Sequence, residues 1–272
     1  MNIKIASPAN ARLKIARSLH SRSGILKHRL FLMEGPRFVF DYMNREKPEW
    51  VFISEEASPH SRAVAEKALE SNTEVLELPG KLFAGISDTE VSQGITAVCP
   101  LPEVNIDRIP RSGVFLLLDG ISDPGNMGTI IRSAAAFGCS SIVAGKGSCC
   151  PFAPKVTRAS AGMISVVPIE FDSDLVSFMK NNAEVIEFLG ANASGEDIGN
   201  VRPLGSCTGL VIGSEAHGIS VEVAEHVNRM VSIPMVQGVD SLNAAVSASI
   251  FLYHFTEAAA DGKKVLSDKK QR

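Results

Sequence analysis

Six short apolar runs in the second half of the chain, each followed by a stretch with helix-like spacing, limit its fold more than any other feature. They lie at 114–118, 141–144, 166–169, 185–189, 210–212 and 230–233. Near-continuous apolar runs of this length are buried on both faces, and their alternation with helices is the pattern of a parallel sheet in an α/β domain. No run approaches the roughly 20 apolar residues that cross a bilayer. Ahead of them, 30–33, 50–53, 75–78 and 95–98 alternate with helical patterns such as 62–69, which predicts a smaller α/β module. Between the two lies PLPEVNIDRIPRSG (100–113), where Pro100, Pro102 and Pro110 make a stiff connection natural. The expected domains are therefore 1–105 and 106–272.

Charge is distributed unevenly. The chain as a whole carries −3, which excludes binding to nucleic acid by bulk basicity. Yet no acidic residue precedes Glu34, while Lys4, Arg12, Lys14, Arg17, Arg22, Lys27 and Arg29 do. Such an arm suits phosphate contact, and it equally suits a solvated helix face. The N-terminus lacks the apolar core of a signal peptide, so a cytoplasmic address is expected. Five cysteines without a CxxC pair read as reduced thiols, and the Cys and His spacing offers no metal site. The tail 261–272 is polar enough to fray.

Three stretches of the second half carry polar residues at strand ends, where open α/β sheets bind ligands. In 116–138 a strand ends at Asp119, a DPGN turn follows, and a helix expected from Gly128 bears Arg132; Asn126 serves as a turn or capping residue. In 209–220 a strand leads into a glycine-rich loop with Glu215 and His217, the latter either a base or an unassigned loop histidine. As a P-loop the stretch fails, because no GK[ST] follows. In 231–255 a strand and a polar loop precede a long helix, with Ser241 expected at the N-cap and small residues on the first turns. No GxGxxG with a downstream acidic residue supports a dinucleotide-binding enzyme.

In their order and spacing, DPGNMGTIIRSAAAFG, KVTRASAGM, GLVIGSEAHGIS and IPMVQGVDSLNAAVSASIFLY resemble the SpoU (TrmH) family of RNA 2′-O-ribose methyltransferases in the SPOUT superfamily. Residues 7–43 also resemble the RNA-binding domain that precedes the catalytic domain in ribosomal-RNA members. The resemblance implies S-adenosylmethionine as cofactor, RNA as substrate with large-subunit ribosomal RNA favoured, a homodimer, and a C-terminal trefoil knot. It places the catalytic group on Asn126, Arg132, Glu215, Ser241 and Asn243, with Arg132 sometimes assigned in the family as general base; a guanidinium has no acceptor, which favours Arg132 on a phosphate with Asn126 and Glu215 orienting it. It places the cofactor at Gly213, Ile233 and Leu242, beside a loop 190–195 containing Ala191 and Asn192, and the apolar slot that an adenine needs adds Met235. RNA capture falls to Arg12, Lys14, Arg17, Arg22, Lys27, Arg29 and Arg37, with Arg158 near the active site. Two departures stand out: Ala191 or Asn192 replaces a hydroxyl-bearing residue, and SLNVS reads SLNAA. A transfer-RNA substrate, or a catalytically silent ribosome-assembly protein, is the alternative.

Overall fold

The structure, a computed structural model, describes residues 3–104, 112–202 and 206–256. The chain forms two compact units. The first comprises Met1–Pro102 together with Cys150–Ser165, and the second Glu103–Cys149 with Val166–Arg272. A boundary at residue 105 falls outside the described residues, as does the tail 261–272. The division is also not a single cut, because 150–165 packs with the N-terminal residues.

In the first unit, β1 (Ile3–Lys4), β2 (Leu30–Glu34), β3 (Trp50–Ser54), β4 (Glu74–Leu78) and β5 (Ile95–Pro100) form a mixed sheet in the order β1-β4-β3-β5-β2. Around it lie α1 (Ala11–Ser18), α2 (Arg22–His28), α3 (Pro36–Met43), α4 (Pro59–Glu70) and α5 (Gly80–Phe83). The edge strand β2 does not stay open. Helix α7 (Pro154–Ala159) covers it: Phe152 packs on Phe31 with ring centres 5.2 Å apart, and the Thr157 hydroxyl donates to the Leu32 carbonyl at 3.2 Å. Arg158 donates to the Asp88 carboxylate at 2.6 Å and to its carbonyl at 3.0 Å. Asp88 is held in turn by Glu34, whose carboxylate accepts from the Asp88 amide and from Ser87, Thr89 and Ser92.

The second unit is a six-stranded parallel sheet in the order β11-β9-β10-β6-β7-β8, built from β6 (Gly113–Asp119), β7 (Ser141–Gly145), β8 (Ile169–Ser173), β9 (Glu187–Asp197), β10 (Cys207–Gly213) and β11 (Arg229–Ser232). Its helices are α6 (Pro124–Phe137), α8 (Leu175–Asn182), α9 (Val221–Ala224) and α10 (Ala244–Phe255). Five of the six expected strands fall where the apolar runs lie. The sixth moves: 166–169 is not a strand, because Pro168 has no N–H for a ladder and β8 begins after it, with the Pro168 carbonyl accepting from Ile142 at 2.9 Å. Helix α6 starts four residues before Gly128, since Asp123 caps it and Pro124 suits its first position. Asn126 is therefore inside the first turn, its N–H donating to Asp123 Oδ1 at 2.7 Å.

Among the described residues no helix is long and apolar enough to cross a membrane. Burial pushes the Cys99 thiol well up and the Cys139 thiol up to about 12, from an ordinary value of 9.0. A thiol whose folded pKa is raised stabilises the fold fully below the unfolded value and loses that contribution as pH rises through the folded one. Denaturant midpoints are therefore expected to fall between pH 9 and 12. Native Cys99 and Cys139 should resist iodoacetamide at pH 8 and react once unfolded, as peptide mass mapping would show.

Candidate active site

The middle of β9 and the carboxyl ends of β10 and β11 border a cavity of about 420 Å³. Its shape starts in β9, which pairs with β11 at Gly190↔Met230 and again at Glu196↔Val231, so that 191–195 bulge out between two adjacent partners. The loop expected at 190–195 is thus an excursion inside a strand. Ser232 Oγ holds it by donating to the Gly195 carbonyl at 2.9 Å, and a Cβ on Gly195 would sit 2.5 Å from the Val231 amide nitrogen. Ala191, Asn192 and Ala193 consequently line the cavity.

The second wall is the loop after β10. Ser214 and Gly218 exchange main-chain hydrogen bonds at 3.0 and 2.9 Å, folding the loop tightly back over Gly213. A Cβ on Gly213 would lie 2.0 Å from the Gly218 carbonyl carbon. Gly213 is glycine for close packing, so substitution there tests the fold before it tests a ligand. Gly213→Ala is expected to cost on the order of 3 kcal/mol, visible as a lower urea midpoint. At Gly218, by contrast, φ is +68° and a Cβ would meet nothing within 4 Å.

The third wall is the stretch from Ile233 to α10. The N-cap of α10 is Asn243, not Ser241: Asn243 Oδ1 accepts from the amides of Ala245 at 2.9 Å and Val246 at 3.2 Å. Capping fixes which way the Asn243 amide faces. Its Nδ2 is left to donate to Asn126 Oδ1 at 2.9 Å, and Asn126 Nδ2 then donates to Glu215 Oε1. One chain of hydrogen bonds so joins three separated stretches at the cavity's rim.

All six expected cofactor residues, Ala191, Asn192, Gly213, Ile233, Met235 and Leu242, line the cavity, as do Glu215, Ser241 and Asn243. Ser247 and Phe251 line it too, and sequence reasoning missed them. With Ala244 they follow i, i+3, i+7 spacing, which identifies one face of α10 once the helix start is known.

Arg132 departs from expectation. It stands six residues after Asn126 on α6, about 240° around the helix, and does not line the cavity. It is exposed and makes no hydrogen bond or ion pair with any described residue, so neither Asn126 nor Glu215 orients it.

The basic residues of the first unit are partly committed. Arg12 lies 5.6 Å from the Trp50 ring centre and pairs with Glu74. Arg37 lies 3.9 Å from Asp41, Arg17 donates to the Pro8 carbonyl at 3.4 Å, and Arg158, a residue of the first unit, is bound to Asp88. Lys14, Lys27 and Arg29 are exposed without an ion pair to a described residue, and Arg22 lies in α2.

The profile of the SpoU rRNA Methylase family matches residues 113–253, and that of the MRM3-like substrate binding domain matches 10–97. The chain is 28% identical to the 23S rRNA (guanosine(2553)-2′-O)-methyltransferase RlmP of Bacillus subtilis, over 92% of this chain and 98% of that one. Its fold is similar to that of a putative TrmH-family RNA methyltransferase from Porphyromonas gingivalis, with TM-score 0.78 and 30% identity over 93% of this chain and 99% of that one. The AdoMet-bound rRNA methyltransferase from Sinorhizobium meliloti superposes with TM-score 0.81 and 25% identity, over 92% and 96% of the two chains.

Proposed function

The chain belongs to the SpoU rRNA methylase family, and from that premise we propose that it methylates a ribose 2′-hydroxyl of large-subunit ribosomal RNA with S-adenosylmethionine as donor. The observation that carries this reading is the single cavity to which three separated stretches contribute, with Glu215, Asn126 and Asn243 bonded at its rim. About 420 Å³ lies within the range of small-molecule sites. Ile212, Ile233, Met235, Leu242 and Phe251 offer apolar walls for an adenine, and the space beside Gly218 leaves room for a ligand against backbone. These residues fit the cofactor, which when bound supplies a methyl group already activated on a sulfonium.

The chain's own task is to align the hydroxyl, answer its developing charge and hold water out. Arg132 serves as a donor and not as a base, since a guanidinium presents five N–H groups and no acceptor. With its fork uncommitted, it binds the phosphate beside the target ribose and stabilises the forming alkoxide. Glu215, fixed by Asn126, and Ser241 face the ribose from the cavity's rim.

Lys14, Lys27 and Arg29, together with Arg12, Arg17, Arg22, Arg37 and Arg158, meet RNA phosphates in the first unit, whose likeness to a substrate-binding domain supports that role. The exposed stripe Val246, Ile250 and Tyr253 on α10 supports a homodimer through that face. The trefoil knot is proposed for the segment that walls the cavity between β9 and α10. The enzyme acts in the cytoplasm, where ribosomal RNA is modified.

Asn243→Asp separates capping from the bonded chain. Aspartate caps α10 equally well, so melting should move by no more than about 2 °C. The site, however, then holds two carboxylates and one Asn126 amide nitrogen to serve both, and the methylation rate should fall at least about tenfold. Mapping ribose methylation on unmodified ribosomal RNA, with and without protein and cofactor, tests the proposal as a whole. A new 2′-O-methyl nucleotide in the large-subunit RNA supports it, and none in any ribosomal RNA refutes it.

A further inference from the structure

Asp119 ends β6 directly opposite Gly213, its register partner at the end of β10. Its carboxylate does not point idly into solvent: Oδ2 accepts the main-chain N–H of Ser220 at 2.7 Å. Gly213 and Ser220 are the two ends of the loop that carries Glu215. One residue thus anchors both, the first through the sheet ladder and the second through its side chain. Between these anchors the Ser214·Gly218 pair closes the loop on itself, with the His217 N–H donating to Ser214 Oγ at 3.2 Å. A Cβ on Gly120, next to Asp119, would lie in ordinary contact with Ser214 Cβ at 3.6 Å, so the glycine itself brings no side chain to hold the loop. A charge-assisted hydrogen bond to a backbone N–H is short and strong, and it fixes a loop end in a way that packing between small residues cannot.

We infer that Asp119 is a positioning residue for methyl transfer: by clasping the Ser220 N–H it sets the height of the 214–219 loop, and so places the Glu215 carboxylate where Asn126 can reach it. The inference rests on the proposed role of Glu215. Asp119 itself is not a lining residue of the cavity, and its influence runs through the loop. An ångström of displacement at a reacting centre can cost about 10²-fold in rate.

The test is a double-mutant cycle on the full chain, reading tritiated methyl transfer from labelled S-adenosylmethionine to an unmodified 23S rRNA transcript, with a melting curve for each variant. Asp119→Ala is expected to lower kcat by about tenfold to a hundredfold, whereas Asp119→Asn, which keeps an acceptor, recovers most of it. In a Glu215→Gln background Asp119→Ala should cost nothing further in rate, while its effect on melting persists. Ser220→Pro gives an independent arm. It deletes the donor and keeps the aspartate, whose carboxylate must turn away from the ring Cδ that replaces the N–H, and Ser220 already has φ −62°, which proline adopts. Its loss should match that of Asp119→Ala and not multiply with it. Losses that multiply with those of an impaired Glu215→Gln, or Asp119→Ala and Ser220→Pro at the native rate, overturn the positioning role alone. A native rate for Glu215→Gln overturns the reading of Glu215, and this inference with it.

Discussion

Arg132→Lys is expected to slow methyl transfer by roughly a hundredfold or more while cofactor affinity stays at the native value. The two halves of this result come from different observations. Arg132 lies outside the cavity wall, so shortening its fork leaves the cofactor's contacts alone. No described residue engages its guanidinium, which is therefore available for a phosphate and a developing alkoxide. Lysine keeps the charge but presents a point donor in place of two parallel N–H groups, so the loss measures geometry more than charge. Single-turnover rates beside calorimetric cofactor titration separate the two, and Arg132→Lys at the native rate would remove the residue from the mechanism.

The second large effect concerns the first unit. Cutting the chain near residue 105 is an obvious way to isolate the catalytic unit, yet it strands 150–165. Phe152, Val156, Thr157 and Ile164 are buried there against partners that include Phe31 and Leu32. Exposing side chains of this kind costs about 2 kcal/mol each and leaves an adhesive patch. The simple truncation is expected to aggregate. A companion in which a Gly/Ser linker also replaces 150–165 should stay monodisperse, bind the cofactor, and lose on the order of a hundredfold in activity on ribosomal RNA as its phosphate contacts go. Light scattering and methyl-transfer assays would check both, and a companion with native activity on RNA would exclude the first unit from substrate capture.

The fate of 150–165 shows where sequence reasoning runs out. Phe152 and Val156 announce burial, but nothing in their spacing says which core receives them, because burial is a local signal and the choice of partner is not. The strands were legible for the converse reason. Apolar runs such as 114–118 are buried on both faces whatever their neighbours, whereas the order β11-β9-β10-β6-β7-β8 depends on long-range pairing that periodicity does not encode. Errors at element ends trace to particular residues: Pro168 delays β8, Asp123 starts α6 early, and Asn243 takes the cap expected of Ser241.

The site was legible to a different degree. The residues around the cavity could be named from the likeness to SpoU methyltransferases, and the structure places all six expected cofactor positions on one wall or another. The bonded chain through Asn126 was not legible, since it depends on which way an amide faces, and that is settled only by the capping of α10. Nor was the position of Arg132. Residues that are near in sequence and alike in polarity read as one group until helical rotation separates them.

The pairing of β6 with β10 joins Gly113 to Cys207 at the middle of the second sheet, and the last wall of the cavity comes from α10. Contacts between residues so far apart in the chain form slowly, because a long loop must close before any of its energy is recovered. During synthesis the N-terminal strands can pair as they emerge, but the pocket cannot exist until α10 has left the ribosome. A nascent chain that has not yet delivered α10 has no site with which to modify RNA.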